Sequence, residues 1–377
     1  MPPAPQLTIG IEEEYLLVDL ETRNLLADPP SELWDGAYQR IEGRVSRELL
    51  RAQIEVGTKP HAHIADVAHD LRDLRRSLGE VAQAHGAAII ASSTHPSALW
   101  WEQVTTDGDR YKLLAEDLAM VGQRMVICGM HVHAGIEDPE LRIDLMNQIT
   151  YFLPHLLALS TSSPFWGGRN TGLKSYRMNV FRTMPRTGIP EEFDSWAEYQ
   201  RHVQVLVEAG LIEDASKIWW DIRPSIRYPT LELRVTDICT RWQDAITIAA
   251  LYQSLLHMLY RLRRHNQKWR RYANFLLAEN IWRAQRYGAA GDLMDFGIGE
   301  LVPFPDLVDE LIELVRPDAE ELGCVNEVEH ARTIAVEGTS ARRQVKAFDD
   351  ALAAGASDEE ALRAVVDELI ADTLLDT

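Results

Sequence analysis

"LTIGIEEEYLLVD", Leu7 to Asp19, sets three consecutive glutamates inside an otherwise apolar run. Side chains alternate faces along a β-strand, so a strand here turns Glu12 and Glu14 to the same side. Three further strand candidates repeat the pattern. "RAQIEVGT" (51–58) holds Glu55 among apolar neighbours, "GMHVH" (129–133) puts His131 and His133 on one face, and "TLELRVTDI" (230–238) does the same for Glu232 and Arg234. Each offers a carboxylate, imidazole or guanidinium where an apolar side chain would be less costly to bury.

Outward from these strands, "AAIIASS" (87–93) reads as a short buried strand. "KIWWDIRPS" (217–225) reads as another, joined to 230–238 through "IRYPT" as a candidate hairpin. Ile64, Val67, Leu71, Leu74, Leu78 and Val81 recur at helical spacing, with Gly86 as a stop. A helix over about 110–124, a strand over 125–136 and a helix over about 138–160 kinked at Pro154 follow. Residues 162–190 are rich in Gly, Pro, Arg and aromatics without periodicity, the composition of a functional loop. Beyond about residue 241 the pattern is helical over about 242–265, 274–287, 305–315, 338–353 and 358–374. With no linker, repeat or low-complexity tract, residues 1–377 form one domain of the α+β class, strands first and a helical layer after.

The 377 residues are 46 % apolar and 25 % charged, ample for a large core without disulfide or zinc staples. A formal charge of −20 argues against nucleic acid or an anionic membrane as partner. Cys128, Cys239 and Cys324 are odd in number and far apart, which points to the cytoplasm rather than a disulfide framework. "MPPAPQLTIG" lacks the pattern of a signal peptide. "AITIAALYQSLLHMLY" is interrupted by Gln253, Ser254 and His257 and falls short of the roughly 20 residues that cross a bilayer.

Carboxylates mixed with imidazole suit Mg²⁺ or Mn²⁺ better than zinc. An arginine beside such a site makes sense if a phosphate arrives with the metal, since guanidinium grips phosphate bidentately. Each pair alone has a plain reading as a solvated face, a hydrogen-bonded core histidine or a cross-strand ion pair. In the loop, Lys174, Arg177 and Arg182 are surface charge or a lid over an anionic substrate, with Trp166 and Tyr176 excluding water. Arg223 and Arg283 are further substrate-binding candidates. "STHPSALWWEQ" (93–103) reads as core packing.

Taken in order, "TIGIEEEYLLVD", "STHPSALW", "GMHVHAGI", "LPHLLALSTSSPFWGGRNTG", "WWDIRPS", "PTLELRVTDICT" and "ENIWRAQRYG" resemble the glutamate–cysteine ligase type 2 family, the YbdK-like carboxylate–amine ligases. The likeness runs from about residue 7 to beyond residue 345. It implies a glutamine synthetase-like fold: a curved, largely antiparallel sheet forming a funnel, with packed helices and a helical C-terminal region. It further implies ATP and Mg²⁺ (or Mn²⁺) in that funnel and possession of the whole chain by one catalytic domain. On the matching positions Glu12, Glu14, Glu55, His131 and Glu232 become metal ligands, and Arg234 a phosphate-contacting arginine. His133, one pleat along, faces nucleotide or substrate and joins Arg234 as a catalytic candidate.

The activity so implied is ATP-driven amide formation through an acyl phosphate, with glutamate as carboxylate donor and small-molecule substrates; the family also suggests a homodimer. Two other readings fit the same ligands. A metal-dependent amide hydrolase would work without ATP, but leaves Arg234 without a phosphate. A non-catalytic metal–nucleotide binder need not keep five ligand candidates.

Overall fold

The computed structural model describes residues 5–108 and 118–377. Its architecture grows from β1 (Ile9–Asp19), whose eleven residues are shared among three neighbours. The other strands of the sheet are β2 (Val45–Arg47), β3 (Gln53–Gly57), β4 (Ala87–Ile90), β5 (Met130–Gly135), β6 (Ile222–Pro224) and β7 (Thr230–Leu233). They lie in the order β6-β7-β5-β1-β3-β2, with β4 beside β1. Every pairing is antiparallel. One edge of β1 is divided between β5, which takes Ile9–Glu13, and β4, which takes Leu16–Asp19.

Alternation along β1 sorts its residues. Ile9, Ile11, Tyr15 and Leu17 are buried, and so is Glu13, which lies among them on the face away from Glu12 and Glu14. Behind the sheet pack α2 (Ile64–Ala84), which follows α1 (Ser31–Arg40), and α7 (Trp242–Arg264). Glu13 would be a costly charge there were it not gripped by Arg75 of α2, which is itself wholly buried. Arg75 also donates to the carbonyls of Cys239, Thr240 and Thr373, so one guanidinium ties β1 to both the entry of α7 and the chain's end.

Between β5 and β6 come α3 (Pro139–Ile149), α4 (Leu153–Ser160), α5 (Tyr176–Phe181) and α6 (Trp196–Glu208). After α7 follow α8 (Asn274–Tyr287), the hairpin β8 (Asp292–Asp295) and β9 (Glu300–Pro303), then α9 (Phe304–Leu322), α10 (Val325–Glu337), α11 (Ser340–Ala353) and α12 (Asp358–Thr373). The α+β class and the helical C-terminal layer are as the sequence predicts. No helix among the described residues is long and apolar enough to cross a membrane.

Several elements differ from the sequence reading. The helix predicted over 138–160 is two, parted by a 3₁₀ turn at Thr150–Phe152; Pro154 sits in the first turn of α4, where its missing N–H costs nothing. Helix α9 does not stop before Pro317 but runs through it, held by Asp318, which accepts from His257 and Arg261 of α7. The aperiodic stretch 162–190 contains α5, and α1, α6 and α10 were not foreseen. The strand predicted over 125–136 begins only at Met130, and that over 230–238 ends at Leu233. Most of the helix expected over about 110–124 lies outside the described residues; Met120–Gln123 is its described part.

Candidate active site

Strand register lines up the polar residues in three cross-strand rows. Residues opposite one another in an antiparallel pair share a face, with Cβ atoms about 4.5–5.5 Å apart. One row is Arg223, Glu232, His133 and Gly10. The next pairs His131 with Glu12 and continues to Gly57. The third is Glu14, Glu55 and Ser46. Glycines at two row positions leave space beside the charged side chains. Their open face lines a cleft of about 350 Å³.

Acid collects at one part of this cleft. Ligand atoms of Glu12, Glu55 and His131 lie within 4.8 Å of one another, as do those of Glu14, Glu48 and Glu55, so Glu55 belongs to both groups. Burial, with the charges of Glu12 and Glu14 added, pushes the Glu55 carboxyl up to about 7. Glu48 is pushed up too, by burial and then by Glu55 and Glu14. Glu12 goes the other way: burial opposes its ionisation, but His131 and His133, at 3.6 and 3.5 Å, outweigh it and hold the carboxyl well below the usual range. His131 is lowered by burial and by Arg234, whereas for His133 the pull of Glu12 and Glu232 overcomes burial and raises it.

Cations collect at the other part. Arg223 donates to both oxygens of Glu232, at 2.9 and 3.2 Å, and Arg234 reaches the same carboxylate. Glu232 therefore stays ionised far below the ordinary carboxyl range despite its burial. It lies in neither metal-sized group. Arg177 is buried at the cleft wall, donating to the carbonyls of Arg234 and Val235. Gly129 makes room for it, since a Cβ at that position would stand 2.5 Å from the Arg177 Nη2. Arg47, Lys217 and Arg227 complete the cationic lining.

Of the twelve residues singled out from sequence, nine line this one cleft: Glu12, Glu14, Glu55, His131, His133, Arg177, Arg223, Glu232 and Arg234. Three do not. Arg182 pairs with buried Asp221 at 2.6 Å, and Lys174 is half-buried near Arg286 and Arg342. Arg283 donates to the Asp292 carbonyl and stacks over Tyr287 in the helical layer. Trp166 and Tyr176, read as water-excluding, stack on each other at 5.3 Å outside the cleft lining. Glu48 escaped the sequence reading because it sits between strands, where alternation gives no signal.

Comparison with known proteins bears on this geometry. The profile of Glutamate-cysteine ligase family 2 (GCS2) matches residues 8–368. A Rhodospirillum rubrum protein named "Putative glutamate--cysteine ligase 2" is 60 % identical over 374 residues, 98 % of this chain and 96 % of its own. Its namesake from Jannaschia sp. is 54 % identical over 369 residues, 98 % of this chain and 97 % of its own. Among solved structures, a glutamate–cysteine ligase from Francisella tularensis in complex with AMP superposes with a TM-score of 0.70 at 14 % identity, covering 98 % of this chain and 89 % of that one. A bifunctional glutathione synthetase from Pasteurella multocida gives 0.69 at 15 %, covering 98 % and 53 %. At such identities these two speak for the fold, a glutamine synthetase-like one.

Proposed function

Since the chain belongs to glutamate–cysteine ligase family 2 and is thereby an ATP-dependent carbon–nitrogen ligase, we propose that it forms its amide through an acyl phosphate, with the γ-carboxyl of glutamate as donor. The observation that carries this reading is one cleft lined both by a cluster of carboxylates with an imidazole and by buried arginines. Glu14, Glu48 and Glu55 crowd together with the last two pushed towards neutrality, a tension that a cation would relieve. Their oxygens, with Glu12 and one imidazole from His131, are the donor set of Mg²⁺ or Mn²⁺. Glu232 would join them on releasing its arginines to phosphate. A bound divalent metal supplies neutralisation of the charge that builds up on the phosphates during transfer.

The chemistry then asks little of the protein beyond positioning. A carboxylate oxygen of the substrate attacks the γ-phosphorus, and the bond to the β-phosphate oxygen breaks to release ADP. The amine nitrogen next attacks the acyl carbon, phosphate departs, and the nitrogen gives up a proton. Arg234 and Arg223 stabilise the transferring phosphoryl group, already aimed by their shared hold on Glu232. Arg177 binds a substrate carboxylate at the buried wall. His133, with its pKa raised and its Nε2 3.5 Å from the Glu12 carboxylate, faces nucleotide or substrate. Exclusion of water matters because acyl phosphates hydrolyse. Lys174, Arg182 and Arg283, outside the cleft lining, act in this reading by supporting it rather than by touching substrate. One catalytic domain spanning residues 1–377, in a cytoplasmic homodimer, completes the proposal.

Mg²⁺-dependent ADP release from ATP, with glutamate alone and with a panel of amines including cysteine, tests it. Amine-stimulated release that Glu232→Ala abolishes and Arg234→Lys lowers about a hundredfold is the expected outcome. Wild-type turnover in either variant would remove that residue from the mechanism. Amide cleavage without ATP, and no ADP under any condition, would replace the ligase reading by hydrolysis.

A further inference from the structure

A second cavity, of about 300 Å³, opens far along the chain from the first and shares no lining residue with it. Tyr151 and His155, at the 3₁₀ turn and α4, meet Trp269 and Tyr272 of the segment joining α7 to α8. The Tyr151 ring lies 5.7 Å from that of Trp269 and 5.6 Å from that of Tyr272. Leucines of α9 supply a further apolar wall. Asp295, at the end of β8, and Glu310 of α9 add two carboxylates to the lining.

Aromatic rings and carboxylates around one cavity attract the same kind of ligand. Ring faces carry negative potential and draw cations, and a carboxylate nearby adds a direct charge. Among the described residues neither Asp295 nor Glu310 takes part in an ion pair; the Asp295 carboxylate only accepts from the N–H groups of Gly297 and Ile298 in its own turn. Their field is felt at Tyr151, whose hydroxyl burial, followed by Asp295, Tyr272 and Glu310, pushes up to about 12. The lining holds one guanidinium, that of exposed Arg270, 5.7 Å from the centre of the Tyr272 ring. It is the chain's own demonstration that a cation rests on this surface. Two buried nitrogens at the cavity, Trp269 Nε1 and His155 Nδ1, have no hydrogen-bond partner among the described residues.

We propose that this cavity is a binding site for a small amphipathic organic cation, an ammonium or guanidinium carrying an apolar body, separate from the ligase cleft. The apolar part lies against Tyr151, Trp269 and the α9 leucines. The cationic head lies between Asp295, Glu310 and the Tyr272 face, displacing Arg270. The site does not depend on which substrates the ligase joins.

Calorimetric titration of the whole protein with 2-phenylethylamine, benzyltrimethylammonium and neutral 2-phenylethanol tests the proposal. The two cations should bind saturably, one per chain, and about tenfold more tightly than the alcohol. Asp295→Asn combined with Glu310→Gln should remove that preference; asparagine keeps the turn's acceptor, and an unchanged thermal transition shows the fold intact. Arg270→Ala should tighten the cations several-fold by clearing the ring. Equal affinity for the alcohol, or no saturable binding, would overturn the proposal. So would cation binding that Glu232→Ala abolishes while the Asp295 and Glu310 substitutions leave it unchanged, because the amine would then sit in the ligase cleft.

Discussion

Glu55 belongs to both groups of close-set ligand atoms, and its substitution separates function from stability. Its carboxyl is raised to about 7 by burial, Glu12 and Glu14. A raised carboxyl penalises the fold once ionised: the penalty is absent below an ordinary glutamate value near 4.5 and complete above about 7. Glu55→Gln should therefore stabilise the metal-free protein by about 1–3 kcal/mol at pH 8 and by little at pH 4.5, while activity falls about a thousandfold. Urea denaturation at both pH values, beside an assay, checks this; equal stabilisation at the two pH values would show that charge crowding is not its source. At this scale the site was largely legible. Alternation picked out Glu12, Glu14, His131, Glu55 and Glu232 because each is a polar residue on a strand. It could not find Glu48, which lies off any strand, and it could not sort Arg177, which lines the cleft, from Lys174 and Arg182, which do not. Those three share a segment with no periodicity from which direction could be read.

At the scale of the element, β1 works on both faces. Glu12 and Glu14 open to the cleft, and Glu13 between them is clasped by Arg75 with Tyr15 as a further donor to its carboxylate. Removing one partner of a wholly buried pair leaves an uncompensated charge. Arg75→Met should cost about 3–5 kcal/mol, and Glu13→Leu added to it should recover much of the loss. Melting of the single and double variants checks this, and equal stability of the two would mean that Arg75 acts through the carbonyls of Cys239, Thr240 and Thr373 rather than through Glu13. Sequence marked β1 as a strand but left the partner of Glu13 unknown, since Arg75 lies 62 residues away on α2 and no local pattern links them. Elements with strong periodicity, such as α2 and α8, were placed nearly to the residue. Pro154, expected to kink a helix, begins a new one, and the helix expected over about 305–315 runs on through Pro317, held by tertiary contacts to Asp318.

At the scale of the molecule, the larger of two hydrophobic clusters among the described residues runs from Leu7 to Leu369. Buried histidines make the fold sensitive to acid. His95 and His155 are lowered to about 4, chiefly by burial. The unfolded chain, with histidines near 6.5, takes up more protons than the native one, so stability is full above about pH 6.5 and declines as pH falls towards 4. Each of the two accounts for about 2 kcal/mol at pH 5. His155→Phe, in a site already ringed by Phe152 and Tyr151, should lose about 2 kcal/mol less than wild type between pH 7.5 and pH 5; identical losses in urea titrations would contradict the burial of a neutral imidazole there. The funnel itself was legible only through likeness to a family, because strand order and register depend on contacts between segments far apart in the chain. What that funnel does is tested most directly by following one oxygen. Glutamate labelled with ¹⁸O in its γ-carboxyl is turned over with ATP, Mg²⁺ and the amine that best stimulates ADP release. The predicted result is inorganic phosphate carrying one labelled oxygen, passed on through the acyl phosphate; unlabelled phosphate formed alongside the amide would contradict it.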